Sequence, residues 1–478
     1  MTLTATDPLW TSNDVRDALD ATVSGTWQCW GLSIDSRSVE RDDMFFALSG
    51  PNFDGHNYVQ DALNKGAVAA VVEREIDGID NNQLVIVKDV RQAMVDLGQA
   101  ARNRVSIPIV ALTGSVGKTS TKEALWASLG RYRKTHASVS SFNNDIGVPL
   151  SLARMPADCE FAVFELGMNH AGEIRDLVAQ VRPNVAIVTN VELAHSEFFD
   201  SAEGIADAKA EIFEGLTGDM VAILNIDNAH YERLKDHATR CGAKKFITFG
   251  MEDNADVYPS QYVLHDDCCC VNAHVGPKNM TYKIGQPGLH WVMNSLAVLA
   301  AVDQVGGDLG LAGLALAEIS PLPGRGQRRR IYFDEGSDVN FLLIDESYNA
   351  NPASMKASLE TLGATTVKGR GLKIAALGDM AELGDDADLL HASLGQYILA
   401  NGIDRVYLTG EHMKALSRQL PADVLAGHYH DTDDLYQAVR SDLKHNDVIM
   451  VKGSRSTGMN RLVDDLKELD HSQYKQVG

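Results

Sequence analysis

The sequence predicts an α/β protein of three domains. Three observations carry that prediction: a length of 478 residues, a recurring alternation of short apolar runs with helical stretches, and two breaks in that rhythm, near residues 105 and 324. One core rarely organises so long a chain, and domains of about 100–200 residues are the norm. Hydrophobic residues make up 45% of the chain and charged residues 23%, the balance of packed cores rather than of disorder.

Residues 1–105 read as a small α/β domain. Gly66–Glu73 ("GAVAAVVE") and Leu84–Val87 are apolar runs of strand length that follow helical stretches. The polar segment before them, "SIDSRSVERDDMFFALSGPNFDGHNYV", is a binding loop or a long surface connection. Residues 106–324 open on an apolar strand ("IPIVAL"), a glycine-containing turn ("TGSVGK") and a helix ("TSTKEALWASL"), the start of a parallel βα unit. Phe161–Glu165, Val185–Thr189, Val221–Asn225 and Phe246–Phe249 continue as strands with helices between, so this domain is a doubly wound parallel sheet. In "ISPLPGRGQRRR", Ile319–Arg330, prolines and glycines break the pattern and mark the second boundary, with the basic run read as a solvated linker. Residues 325–478 resume the rhythm with strands at Phe341–Asp345, Lys373–Leu377, Val406–Thr409 and Val448–Val451, a Rossmann-like third domain.

Composition excludes several functions. The net charge of −22 argues against nucleic acid and anionic membranes as partners, so phosphates must be held at local sites. No apolar run reaches the length of a membrane span, and "MTLTATDPLW" has no secretory pattern. The six cysteines contain no C-x-x-C pair and suit a reducing cytoplasm. The run Cys268–Cys270 is a poor chelate, because neighbours on a strand face opposite ways.

The strongest motif is "TGSVGKTS", Thr113–Ser120, between a strand and a helix. Such a loop offers backbone N–H groups to phosphate at a helix N-terminus. Gly114 and Gly117 permit close approach, Lys118 brings a charge for the β- and γ-phosphates, and Thr119 a hydroxyl for Mg²⁺. Leu112 stands where the usual pattern has its first glycine, so the loop is a shortened variant. Glu165 and His195 fall at or just past strand ends, where ligands of parallel sheets collect. With the loop they make a candidate Mg²⁺ and nucleotide site.

These residues resemble the Mur ligase family, ATP-dependent amide-forming enzymes of peptidoglycan synthesis. The similar stretches run through nearly the whole chain: "DSRSVERDDMFFALSGPNFDGHNYV", "TGSVGKTSTKEAL", "SFNNDIGVPLSL", "ELGMNHAGEI", "NVELAHSEFF", "AKAEIF", "ILNIDN", "DESYNANPASMKASL", "LGDMAELG" and "VKGSRS". Within the family, "NNDIGVP", "DESYNANPASM" and "LGDMAELG" match the member that adds D-alanyl-D-alanine to a UDP-N-acetylmuramoyl-tripeptide. The resemblance implies that ATP phosphorylates the tripeptide carboxyl and the dipeptide amine then displaces phosphate from the acyl phosphate. It implies Lys118, Glu165, His195 and Lys209 as catalytic, with Thr119, Glu165, His195 and a carbamylated Lys209 around Mg²⁺. Without it, Lys209 reads as an exposed helix lysine. ATP is implied to contact Thr113, Gly114, Ser115, Val116, Gly117, Lys118 and Thr119, then Asn294 near the adenine. The hinge arginine Arg325, a ribose-binding Asp345, and Tyr348, Asn349 and Asn351 complete that set. His290 and Asn294 lie four residues apart and share a helix face, while Trp291 departs from the family's asparagine. "YNANP" also reads as a helix start, with Asn351 as cap and Pro352 first in the helix. The UDP substrate is implied at Asp35, Ser36 and Arg37, at Asp54, Gly55 and His56, and at Asn143 and Asn144. Asp379 and Lys452–Arg455 stand where a dipeptide would bind, or are ordinary loop residues. A monomer is the default expectation.

Overall fold

The computed structural model describes residues 7–139, 142–192, 196–199, 201–215, 220–333 and 338–471. Three sheets organise them. The first has five strands in the spatial order Thr22–Val23, Leu84–Ile86, Ala69–Val72, Asp43–Phe46, Gly31–Ser33, parallel except for the first pair. Its core is not closed by the first hundred residues alone. Leu150 and Ala153, from the helix Gly147–Ala153, pack with Trp10, Phe46 and Leu97. Trp10 Nε1 also donates to Ala153 O at 2.8 Å, and Arg154 donates to Leu32 O.

The second sheet has nine strands. Six run parallel, ordered Thr135–Ala137, Phe161–Glu165, Ile109–Thr113, Val185–Val188, Val221–Asn225, Lys245–Phe249. Alternation along Ile109–Thr113 explains the two-sided cover: Ile109 and Ala111 join the core on one face, Val110 and Leu112 the core on the other. Such buried strands are apolar throughout, which is why they stood out as short runs. The chain order reverses around Ile109–Thr113, so the crevice of this sheet opens above that strand.

Three further strands, Val257–Leu264, Cys269–Val275 and Lys278–Ile284, extend the sheet: the first joins Lys245–Phe249 in parallel through Phe249 and Val257, and the three form an antiparallel meander that the sequence reading did not anticipate. A period-two signal was present: Cys269, Val271, Ala273 and Val275 are buried, and the residues between them are more exposed. Cys269 and Cys270 do face opposite sides of their strand.

The third sheet has six strands in the order Gln327–Tyr332, Asn340–Glu346, Val448–Lys452, Lys373–Gly378, Arg405–Thr409, Leu425–Tyr429. Five are parallel and Gln327–Tyr332 is antiparallel to its neighbour. The basic run is therefore an edge strand and not a linker. Charged side chains suit an edge because they discourage pairing with another chain. The turn ahead of it uses Gly324 (φ 73°) and Gly326 (φ 86°). A Cβ on Gly324 would lie 2.8 Å from the Tyr348 backbone nitrogen, so the chain crosses there only with glycine.

Candidate active site

The strand Ile109–Thr113 delivers the chain into a turn that ends on the helix Lys118–Gly130. Leu112 is fully buried within the strand, paired beside Glu165 and Ile187. The shortened motif thus reflects a strand that runs on to Thr113 before turning. Gly114 (φ 155°) and Gly117 (φ 81°) have no room for a side chain. A Cβ would fall 2.0 Å from Thr189 Oγ1 at the first and 2.7 Å from Asn294 Oδ1 at the second. The loop is tied to the neighbouring strand end: Ser115 N–H donates to Asn190 O at 2.8 Å, Ser115 Oγ to Glu192 O at 2.9 Å, and Thr189 Oγ1 to Val116 O at 2.7 Å. Backbone N–H groups at the helix start are left to face an anion. Lys118 Nζ donates back to Gly114 O at 2.5 Å, so its ammonium lies at the loop's mouth.

Glu165 is buried beside that lysine. Asn143 Nδ2 donates to its Oε1 at 2.8 Å, whereas its Oε2 is buried without a hydrogen-bond partner among the described residues. An unpartnered carboxylate oxygen in a site lined by Thr119 fits a hard cation such as Mg²⁺. Lys209 is 2% exposed, which overturns the exposed-helix reading. Burial, with the Lys118 ammonium near it, holds its amine far below the ordinary lysine range. Burial likewise lowers Lys118, which Glu165 partly offsets. His195 lies outside the described residues.

The third sheet presents its strand ends to the same space. A cavity of about 480 Å³ lies between the phosphate loop, Glu165 and residues 324–361, with Arg325, Tyr348, Asn349 and Asn351 in its wall. The Arg325 guanidinium stacks 4.1 Å from the Tyr348 ring centroid. Asn351 caps the helix Pro352–Ala364, as expected from "YNANP", and its Nδ2 reaches Ser115 O at 3.5 Å. Lys452 belongs to this cavity: its Nζ donates to Asn349 O at 3.0 Å and stands 3.7 Å from Glu346 Oε2. Burial pushes the Glu346 carboxyl up and the Lys452 ammonium down.

Asp345 does not line the cavity. Strand alternation turns Ile344 and Glu346 toward it and Asp345 away. The Asp345 carboxylate instead accepts from Ser347 N (3.1 Å), Ser347 Oγ (2.6 Å) and Gly324 N (3.3 Å), bracing the turn into the third sheet. Glu346, which sequence reading passed over, is the acid on the cavity face. A second cavity of about 480 Å³ adjoins the first at Val116, His290 and Asn294, and Asn190 and Asn228 line it. Those two asparagines also went unremarked, although each stands just past a strand end, Val188 and Asn225.

The first-sheet motifs are arranged differently. Arg37 makes a two-point ion pair with Asp35, Nε to Oδ1 at 2.9 Å and Nη2 to Oδ2 at 2.7 Å, and the pair holds the Asp35 carboxyl down at about 2. Lys65 Nζ donates to Ser36 O at 2.9 Å. Asp54 accepts from His56 N (3.0 Å), His56 Nδ1 (2.6 Å) and Arg74 Nη2 (2.8 Å). The Glu73 N–H donates to His56 Nε2 at 2.9 Å, which places the imidazole proton on Nδ1. His56 and Gly55 are buried, and a Cβ on Gly55 would fall 2.4 Å from Leu48 O. Asn144 starts the helix Gly147–Ala153 by accepting from Gly147 N at 2.9 Å. Asp379 accepts from His412 N and Met413 N (3.3 and 2.9 Å), which is loop chemistry. The structure thus gathers Lys118, Thr119, Asn143, Glu165, Asn294, Arg325, Tyr348, Asn349 and Asn351 around one cavity. It leaves Asp35–Arg37, Asp54–His56 and Asn144 outside its wall.

Comparison with known proteins agrees with this architecture. Family models match residues 29–112 ("Mur ligase family, catalytic domain"), 112–302 ("Mur ligase middle domain") and 329–455 ("Mur ligase, glutamate ligase domain"). The UDP-N-acetylmuramoyl-tripeptide–D-alanyl-D-alanine ligase of Rickettsia prowazekii is 34% identical over 95% of this chain and 99% of its own length. A crystal structure of MurF from Acinetobacter baumannii aligns with a TM-score of 0.83 at 29% identity, covering 97% of this chain and 100% of that one. MurF from Thermotoga maritima in complex with ADP aligns with a TM-score of 0.76 at 25% identity, over 93% and 98% of the two chains.

Proposed function

The chain belongs to the Mur ligase family, and on that premise we propose that it joins D-alanyl-D-alanine to UDP-N-acetylmuramoyl-tripeptide, driven by ATP. The observation that carries the reading is the cluster at the loop mouth: Lys118 and the half-paired Glu165 in the wall of one cavity that the third sheet completes, with the buried Lys209 near the Lys118 ammonium. ATP and a peptide carboxylate are both anions and repel. Lys118 and Arg325 bring positive charge to where they meet, and strengthen as the phosphoryl group gathers charge. Residues 324–361 wall the cavity from the other side, which orients reactants and excludes water from an acyl phosphate. Attack by the dipeptide amine then forms the amide and expels phosphate.

Mg²⁺ would be held by Glu165 and Thr119, with His195 as the family pattern implies, and would neutralise phosphate charge when bound. The lowered amine of Lys209 supports carbamylation: a neutral amine attacks CO₂, loses a proton and becomes an anionic oxygen ligand. The amides of Asn190, Asn228 and Asn294 suit the base in the second cavity, with Glu346 toward the ribose. Asp35–Arg37, with exposed Tyr58 near, remain the proposed UDP end, and Asn143 the peptide end. We read 1–105, 106–324 and 325–478 as the UDP-substrate, ATP and closing domains of a monomer. No helix among the described residues is long and apolar enough to cross a membrane; with six free cysteines, a cytoplasmic setting is proposed.

The deciding experiment measures phosphate release from ATP and Mg²⁺ with UDP-N-acetylmuramoyl-tripeptide, with and without D-Ala-D-Ala, and the product mass. Release that needs both, with a pentapeptide product, is expected. Release without the dipeptide would overturn the ligase reading, and release with another amine would overturn the step.

A further inference from the structure

The meander Val257–Ile284 has no part in the reaction as described, yet its first turn touches the third sheet's domain. That turn, His265–Cys268, closes on His265 N–H to Cys268 O at 2.9 Å and is flanked by the pair Leu264–Cys269. Cys269 Sγ, donating to Gln286 O at 3.3 Å, anchors its root. Asp266 Oδ1 accepts from both Thr366 N and Thr366 Oγ1, each at 3.1 Å. Asp266 O accepts from Arg328, whose other Nη donates to Thr365 Oγ1 at 3.2 Å. Arg328 sits opposite Ile344 in the edge pairing and lines the cavity wall with it.

Thr365 and Thr366 directly follow the helix Pro352–Ala364, whose opposite end carries Asn351 against the phosphate loop. One helix of the third domain is therefore held at both ends, about 20 Å apart for its 13 residues. A single contact near the loop would let the domain pivot about Gly324–Gly326. Contacts at both ends of the helix, with Glu197 N–H donating to Glu382 O at 3.2 Å elsewhere between the domains, fix its orientation.

We infer that the turn His265–Cys268 is a docking point that seats the third domain over the nucleotide cavity, with Asp266 and Arg328 as positioning residues. Neither needs to touch a reactant. The inference rests on the ligase reading for its kinetic arm only.

The test uses the full-length chain and the variants Asp266→Ala and Asp266→Asn. Asp266→Ala removes the acceptor of two exposed hydrogen bonds, so about a fivefold loss of kcat/KM for ATP is expected. Asp266→Asn keeps an acceptor oxygen and should recover to within about twofold. A local structural role would not produce the second readout: with AMP-PNP and Mg²⁺ present, trypsin should cut Asp266→Ala between residues 325 and 330 faster than the parent, at unchanged Tm. Equal kinetics and equal hinge protection in Asp266→Ala and parent would overturn the docking role. So would an Asp266→Asn variant as impaired as Asp266→Ala. If the parent does not ligate, the ligase reading fails, and the trypsin arm still decides this one.

Discussion

Two regions carry equally legible motifs and treat them in opposite ways. Around the phosphate loop, Glu165 Oε2 is buried with no partner among the described residues, and the Lys209 amine is buried with a second lysine near it. In the first domain, Asp35 with Arg37 and Asp54 with His56 and Arg74 are already paired with one another. Leaving buried polar atoms unsatisfied is costly, so one in the wall of a cavity marks where a ligand can complete it. The difference teaches that a motif marks a position, and pairing tells which of its atoms are available.

The comparison can be broken most sharply at the loop. Lys118→Met should lower kcat by about 10³-fold or more, since the charge acts where phosphoryl charge develops; steady-state phosphate release measures it. Lys209→Met should fall by about 10²-fold or more. In the parent, ¹³C-labelled CO₂ should give a carbamate resonance that this variant lacks, and the signal should fade with acidification as the amine takes up a proton instead. The neighbours Glu346 and Asp345 sharpen the contrast: Glu346→Gln should raise KM for ATP about tenfold with Tm nearly unchanged. Asp345→Asn should instead lower stability by about 1–3 kcal/mol, through the Ser347 and Gly324 contacts.

Smaller effects belong to the first domain's paired groups. His56→Ala should cost about 2 kcal/mol in urea unfolding and leave kcat within about twofold. Arg74 and His56 hold the Asp54 carboxyl well below the usual carboxylate range. A depressed acid adds stability above its unfolded pKa of about 3.9, lost as pH falls toward its folded value. Asp54→Asn should therefore flatten the acid side of the stability profile, by little, because the carboxylate, with 35% of its side chain exposed, is partly screened by solvent.

The parallel strands and the phosphate loop were legible because apolar runs and small-residue turns are local signals. The chain names its Asn351 cap in the same local way. What escaped was relational. Whether Asp345 or Glu346 faces the cavity depends on the phase of one strand, and adjacent acids give no hint of it. The depth of Lys209 depends on the packing of its helix, and a lone lysine in "AKAEIF" carries no periodic mark of burial. "QRRR" looked like linker because an edge strand's charges resemble a loop's.

The way the first core is closed has a consequence for synthesis. A chain emerging from the ribosome exposes Phe46, Leu97 and Trp10 long before Leu150 and Ala153 arrive to cover them. The leading segment must therefore wait, partly open, for a helix made after the phosphate loop. Folding of the amino-terminal third is thereby tied in time to the translation of the nucleotide site, and a ribosome stalled between residues 105 and 147 should hold a nascent chain that chaperones bind and proteases cut.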